Sequence, residues 1–330
     1  MATQAGANAT LLKGVNNGGG VLPGSIVTDI FNKIAEESVV MKTAGTIPMP
    51  ITGTSFIVPT GEITAGVVGE GSLKPISKGA AQVKNVRPIK VATIMYFSEE
   101  MLDANPGYVV DRFKQDMTDA IMRSVDAAVL FGRDALTGDT IPGVEYINQS
   151  KNRFNLGDSP KKDGGYFKDL INGISTLSSD RKKVTGFIAD ESLRFDLYSA
   201  TDLQGRPLQG ANFDVANNSG SLLGYPVNYS PNVAGNMGSI GDTSVRAVAG
   251  DFKKNVRLGY VRDTVTFRRA NEATLIDNGE FVPLFQTNMK AFLVEAQFGW
   301  ALTDPDAFAI YTDKEAADAI SGGNTEAAAA

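Results

Sequence analysis

The chain has 330 residues, 42% of them hydrophobic, and carries 37 acidic against 31 basic side chains for a net charge of -6, with neither cysteine nor histidine. That length can bury more than one core. The two missing residue types exclude disulfides, thiolate nucleophiles, Cys/His metal sites and every histidine-based triad.

The first stretch, Met1 to Gly20, is small and polar and ends in Asn16-Asn17-Gly18-Gly19-Gly20. It lacks a basic n-region followed by an apolar run, so it does not read as a secretory signal, and it is expected to be a flexible arm. No apolar run is long enough to cross a bilayer. Ser25 to Glu37 places Ile26, Val27, Ile30, Phe31 and Ile34 at helical spacing and predicts a short amphipathic helix.

Ser55 to Val58 and Val83 to Phe97 read as strands, and between them runs a glycine-rich stretch from Pro59 to Gly79. A loop of that length without periodicity is uncommon inside a compact domain and usually has a function. Its apolar residues, Ile63, Val67, Val68, Leu73 and Ile76, are too scattered to make a core of their own. They are expected to be covered by a neighbouring molecule.

Asn105-Pro106 opens the longest predicted helix, with asparagine as cap and proline in the first turn, and Gly132 ends it. Val109, Val110, Phe113, Met117, Ile121, Val125 and Phe131 form its apolar stripe. Asp111, Arg112, Asp116, Asp119, Arg123 and Asp126 are expected on the opposite, solvated side. A second helix is predicted from Tyr166 to Leu177, then a strand Val184 to Ala189, with Asp190 capping a third helix through Leu193 and Leu197. Gly205 to Gly220 is expected to be an exposed loop. Strands follow at Leu222 to Tyr229, Arg246 to Ala249, Val256 to Tyr260, Thr264 to Arg268, Met289 to Leu302 and Ala307 to Tyr311. In the strand from Met289, Phe292, Val294, Ala296, Phe298 and Trp300 share one face and Leu293, Glu295 and Gln297 the other. The alanine-rich tail from Ala316 is expected to fray.

No catalytic signature stands out. Gly18-Gly19-Gly20 follows no strand, no Gly-Lys-Ser/Thr triplet exists, and Gly69-Glu70-Gly71 precedes no helix, so neither phosphate loop nor dinucleotide fingerprint is supported. There is no Gly-x-Ser-x-Gly elbow. Glu99-Glu100 and Asp304-Pro305-Asp306 read as helix-start and turn residues. No cofactor or metal is expected.

In order along the chain come Glu70-Gly71-Ser72-Leu73-Lys74-Pro75, the long helix Tyr108 to Phe131, Phe187-Ile188-Ala189-Asp190, Leu223-Gly224-Tyr225-Pro226-Val227, Gly250-Asp251-Phe252, Asn288 to Trp300 and Asp304-Pro305-Asp306-Ala307-Phe308. Over nearly its whole length this order resembles the major capsid proteins of tailed bacteriophages, the Hong Kong 97 fold. The resemblance implies an α+β tile of an icosahedral shell. It divides the chain into an N-terminal arm (1–44), an extended β-hairpin loop (45–97), a peripheral domain with a long spine helix (98–140 and 261–302), an axial α/β domain (141–260 and 303–313) and a flexible tail (314–330). It implies self-association into hexamers and pentamers, a portal and separate scaffold or cementing proteins as partners, and packaged double-stranded DNA. The acidic balance argues that DNA is enclosed without being gripped. No membrane partner is implied, and assembly is expected in the host cytoplasm, with the protein ending in the virion.

Some members of that family cross-link themselves, an extended-loop lysine attacking an asparagine of another subunit with help from a glutamate. By motif, those positions are Lys74, Asn288 and Glu295, with Lys78 and Lys84 as further lysines on the loop. A lysine with its ordinary pKa of ~10.4 is almost wholly protonated near neutrality, and holding it neutral costs roughly 4–5 kcal/mol. Apolar burial supplies a shift of that size. The structural alternative is that Asn288 simply turns the chain into the following strand. Two other readings compete with the phage tile. One is an encapsulin shell, which would have an N-terminal helix to dock cargo. The other is a carboxylate-dependent hydrolase, which would act as a monomer.

Overall fold

The computed structural model of the chain describes residues 38–44, 46–59, 65–70, 73, 74, 76, 81–104, 106–200, 211–214, 218–261, 266–277 and 279–313. The helix expected over Ser25 to Glu37 and the alanine-rich tail lie outside them. In chain order the first elements are α1 (Val39–Ala44), β1 (Thr46–Met49), β2 (Thr54–Pro59), β3 (Ala81–Val86), β4 (Ile89–Ser98), α2 (Glu99–Ala104), α3 (Pro106–Phe131), β5 (Arg153–Leu156), α4 (Tyr166–Ser179), β6 (Gly186–Ala189) and α5 (Glu191–Ser199). They are followed by β7 (Ala211–Asp214), β8 (Ser219–Leu222), β9 (Tyr225–Tyr229), β10 (Gly235–Met237), β11 (Ile240–Asp242), β12 (Val245–Gly250), α6 (Phe252–Asn255) and β13 (Val256–Val261). The last are β14 (Thr266–Ala270), β15 (Thr274–Asp277), β16 (Glu280–Pro283), β17 (Met289–Leu302) and β18 (Phe308–Asp313).

Two sheets carry the fold. In the first, β17 is the central strand: β4 runs antiparallel along one edge, and β14 and β13 pair successively along the other, with β1 parallel to β13. The expected alternation holds, since Phe292, Val294, Ala296, Phe298 and Trp300 are buried on one face while Leu293, Glu295 and Gln297 are half-exposed on the other. The second sheet has seven strands in the order β5-β18-β12-β6-β9-β8-β7. Its central strands are covered on both faces. Ile188, Val248 and Ile310 feed a core shared with α3 and β17, while Phe187, Ala189, Ala247, Ala249, Ala309 and Tyr311 feed a second core beneath α4 and α5. Two-sided burial is why these strands read as continuous apolar runs.

Local signals explain most boundaries. Gly132 closes α3 with φ +64° and donates to Ala128 O at 2.9 Å, as a left-handed C-terminal residue does. Asp190 caps α5 by accepting from the Ser192 amide at 3.0 Å.

Four expectations are corrected. The strand from Val83 to Phe97 is two strands, broken at Arg87-Pro88, because proline has no amide to donate and restricts the residue before it. The run Leu222 to Tyr229 is likewise two strands, reversed by a two-residue turn at Leu223 (φ +52°) and Gly224 (φ +81°). A turn with both central residues at positive φ suits a tight hairpin, but leucine in that place hides it. Part of the loop expected over Gly205 to Gly220 is strand β7, paired with β8. Asp126, expected on the solvated side of the long helix, is fully buried. Every residue from Val125 to Phe131 is buried, so the final turns of α3 have no solvated side.

Candidate functional site

The extended loop grows from β2 and β3, which pair antiparallel from Thr54↔Val86 to Pro59↔Ala81. Its root is fixed to the body. Met49, Val86 and Val261 form a small buried cluster there. Lys84 Nζ donates to both carboxylate oxygens of Glu145, at 2.8 and 2.7 Å, and to Leu302 O at 2.7 Å. Lys84 therefore serves as a structural tie and is not a spare nucleophile. Beyond the root, the apolar side chains of the described residues stand largely bare. Ile57 is 74% exposed, Leu73 98% and Ile76 91%, and Val67 is fully exposed. Ile63 and Lys78 lie outside the described residues.

Of the three positions singled out for cross-linking, Asn288 and Glu295 stand well apart in one chain. Lys74 is exposed on the loop. Asn288 is exposed in the turn before β17 with φ +50°, a conformation asparagine tolerates better than most residues. Its carbonyl accepts from the Glu99 amide at 2.8 Å, and the next basic residue, the buried Lys290, pairs with Glu99. The hydrogen bond from Lys290 and its charge hold the Glu99 carboxyl below the usual range, with Arg269 adding to the effect. The backbone at Asn288 is thus pinned while its amide faces solvent. Glu295 lies seven residues on, and at ~3.3 Å per strand residue the two are roughly 23 Å apart. Glu295 itself pairs with Lys90 at 2.6 Å. A Glu295 that assists at Asn288 must come from a different copy of the chain.

Beside the loop root lies a groove between β2, the turn after α4, α6 and the ends of β13 and β17. Arg181, Lys182, Lys183, Lys254 and Arg257 line it, and Phe56 and Ile57 form an apolar strip along one wall. These cations come from two stretches of sequence far apart, 181–183 and 254–257, so reading along the chain missed them. The basic triplet Arg181-Lys182-Lys183 and the pair Lys253-Lys254 were the visible hints.

The chain matches the phage capsid family over residues 18–313. It belongs to that family. The "Probable major capsid protein gp17" of Mycobacterium phage D29 is 29% identical over 301 residues, which cover 89% of this chain and 89% of that protein. A solved structure from Gordonia phage Cozz aligns with a TM-score of 0.70 and 28% identity, over 84% of this chain and 86% of that one. Another, from Mycobacterium phage Ogopogo, aligns at TM-score 0.65 and 20% identity over 84% of this chain and 92% of that one. The capsid fold is the Hong Kong 97 type, α+β as expected. The protein is a structural subunit of a phage capsid and its place is the virion. Neither a monomeric hydrolase nor an encapsulin is needed to account for it.

Proposed function

We propose that this capsid protein assembles into the hexamers and pentamers of an icosahedral shell around double-stranded DNA, each copy laying its extended loop across a sister copy. The observation that carries this reading is the pairing of a fixed root with a bare outer part: Lys84 ties the loop to the body, while Leu73 and Ile76 meet almost nothing. An interface between two different patches of the same chain closes into a ring when the rotation from copy to copy divides the circle evenly. In this arrangement residues 98–140 and 261–302 form the peripheral part and residues 141–260 and 303–313 the axial part, with β13 running into the five-stranded sheet and linking the two. A portal, a separate scaffold or cementing protein and the packaged DNA complete the partner list, and assembly takes place in the host cytoplasm. Electron microscopy of the protein expressed alone tests the core of this reading. Angular particles are expected, and a persistent small monomer at high concentration would overturn it.

The same contact sets up a covalent step. Lys74 of one copy reaches Asn288 of a second, with Glu295 of a third beside them. The ammonium of Lys74 gives a proton to the Glu295 carboxylate, the free amine attacks the Asn288 side-chain carbonyl carbon, and the amide nitrogen leaves as ammonia, so that an isopeptide bond replaces the primary amide. Neutral lysine requires a dry site, and in a single chain Lys74 and Asn288 are both exposed. The reaction therefore waits for assembly. Shells boiled in detergent and reductant should run as ladders of multimers, and Lys74→Ala shells as monomers. A monomer band from unaltered shells removes the cross-link and leaves the tile intact.

A further inference from the structure

We propose that the basic groove beside the loop root docks an acidic surface of a second copy of this chain, the same copy that the extended loop covers. This step rests on the reading of the loop given above. Five cations line the groove against two carboxylates, Asp251 and Asp304, an excess of three positive charges in a chain whose net charge is -6. The remainder of the chain therefore stands at about -9. The carboxylates are already committed. Asp304 pairs with Lys182 at 2.9 Å, and Asp251 caps α6 by accepting from the Lys254 amide at 3.2 Å and also accepts from the Thr185 hydroxyl at 3.2 Å. Among the described residues Lys183, Lys254 and Arg257 make no ion pair, and all three are exposed.

Folding alone gives no reason to gather unneutralised cations from two distant stretches of sequence, since they repel one another. A partner with the opposite charge supplies the reason. Two polyanions are at hand for a capsid subunit, its own acidic copies and nucleic acid. The groove wall decides between them. Phe56 and the 74% exposed Ile57 offer apolar contact, which a protein surface uses and a phosphate backbone does not. The same two residues belong to β2, the first strand of the loop. Whatever fills the groove therefore lies beneath the loop root, where the covered neighbour begins.

Shells assembled from a mixture of light and nitrogen-15-labelled subunits, treated with a carbodiimide and digested for mass spectrometry, test the contact directly. This reagent joins lysine amines to carboxyl groups in contact. Mixed-isotope peptides joining Lys183 or Lys254 to an aspartate or glutamate are expected. Same-chain products only, or none at these lysines, overturn the proposal. A second arm uses Lys183→Glu combined with Lys254→Glu. The protein concentration needed for assembly should rise about tenfold or more, as expected for two exposed charge contacts reversed in sign. Circular dichroism of the unassembled variant should be unchanged, and if the variant misfolds the cross-linking arm decides. Leu73→Asp, made in parallel, separates the two readings. If Leu73→Asp blocks assembly while the charge reversals do not, the groove proposal fails and the loop reading stands. Unchanged assembly with poorer DNA retention would assign the groove to DNA and equally overturn it.

Discussion

Asp126 is the residue whose chemistry departs most from its place in the sequence. Its carboxylate accepts from Ser38 Oγ at 2.6 Å and Asn232 Nδ2 at 2.7 Å, with the Val40 amide at 3.4 Å, and no cation among the described residues pairs with it. It ties together α3, the start of α1 and the turn Pro231–Ala234. Burial raises its pKa, and the hydrogen bonds from Ser38, Asn232 and the α1 amides only partly offset that. A carboxyl that holds its proton more tightly when folded binds more protons in the native state, so stability falls as pH climbs from the unfolded value toward the raised one. Urea midpoints measured from about pH 4 upward should therefore decline more steeply for the unaltered chain than for Asp126→Asn, which cannot ionise. Equal slopes would show that the site is wet. Asp126→Ala should cost about 2–4 kcal/mol, because it leaves the Ser38 and Asn232 donors unpaired and opens a small void. None of this was legible along the chain. The spacing of Asp119, Arg123 and Asp126 is that of one polar face, and only the third dimension shows that the helix loses its solvated side between them. Gly173 was equally silent: a Cβ there would stand 2.3 Å from Tyr311 Oη, whose hydroxyl donates to Leu170 O at 2.8 Å. Gly173→Ala should cost about 1–3 kcal/mol by overpacking, read as a lowered thermal midpoint.

At the scale of elements, legibility followed the strength of the periodic signal. The sequence reading of β17 agreed with its observed ends, Met289 and Leu302, because the alternation from Phe292 to Phe298 has one physical explanation, a strand with one buried and one half-exposed face. That difference between faces is itself testable. Phe298→Ala removes a buried ring that stacks on Trp300 with centroids 5.8 Å apart and should cost about 3–5 kcal/mol. Its neighbour Gln297→Ala, on the half-exposed face, should stay within about 0.5 kcal/mol. Chemical unfolding of the pair checks the contrast, and a costly Gln297→Ala would mean that the second face is also packed. Where the period broke, the reading failed for local reasons. Arg87-Pro88 interrupts what reads as one run of strand-forming residues from Val83 to Phe97, and Leu223 takes a positive φ normally left to glycine or asparagine. The short strands β7, β10, β11, β15 and β16 escaped because a strand of three or four residues carries too few positions to show alternation.

For the whole molecule, the order of weak signatures carried the fold, and one misfit pointed to the function: apolar residues left bare among the described residues. Ile57, Val67, Leu73 and Ile76 together offer at most roughly 6–12 kcal/mol per subunit if fully covered, at about 1.5–3 kcal/mol each. Ordering the loop and docking the neighbour consume part of that. On the proposed reading, what remains is repeated at every copy and favours the shell over the free subunit. The exposed Glu70 sits in the middle of this segment and serves as a reporter. A glutamate-specific protease should nick the free subunit there and leave its two pieces folded together, because β1 stays paired with β13 and β2 with β3 on either side of the cut. In assembled shells the same cut should slow by tenfold or more, since a loop pressed against a sister copy must detach before it can enter a protease. Cleavage at equal rates in free and assembled protein would mean that the loop stays bare in the shell, and the exposed apolar residues would then need another partner.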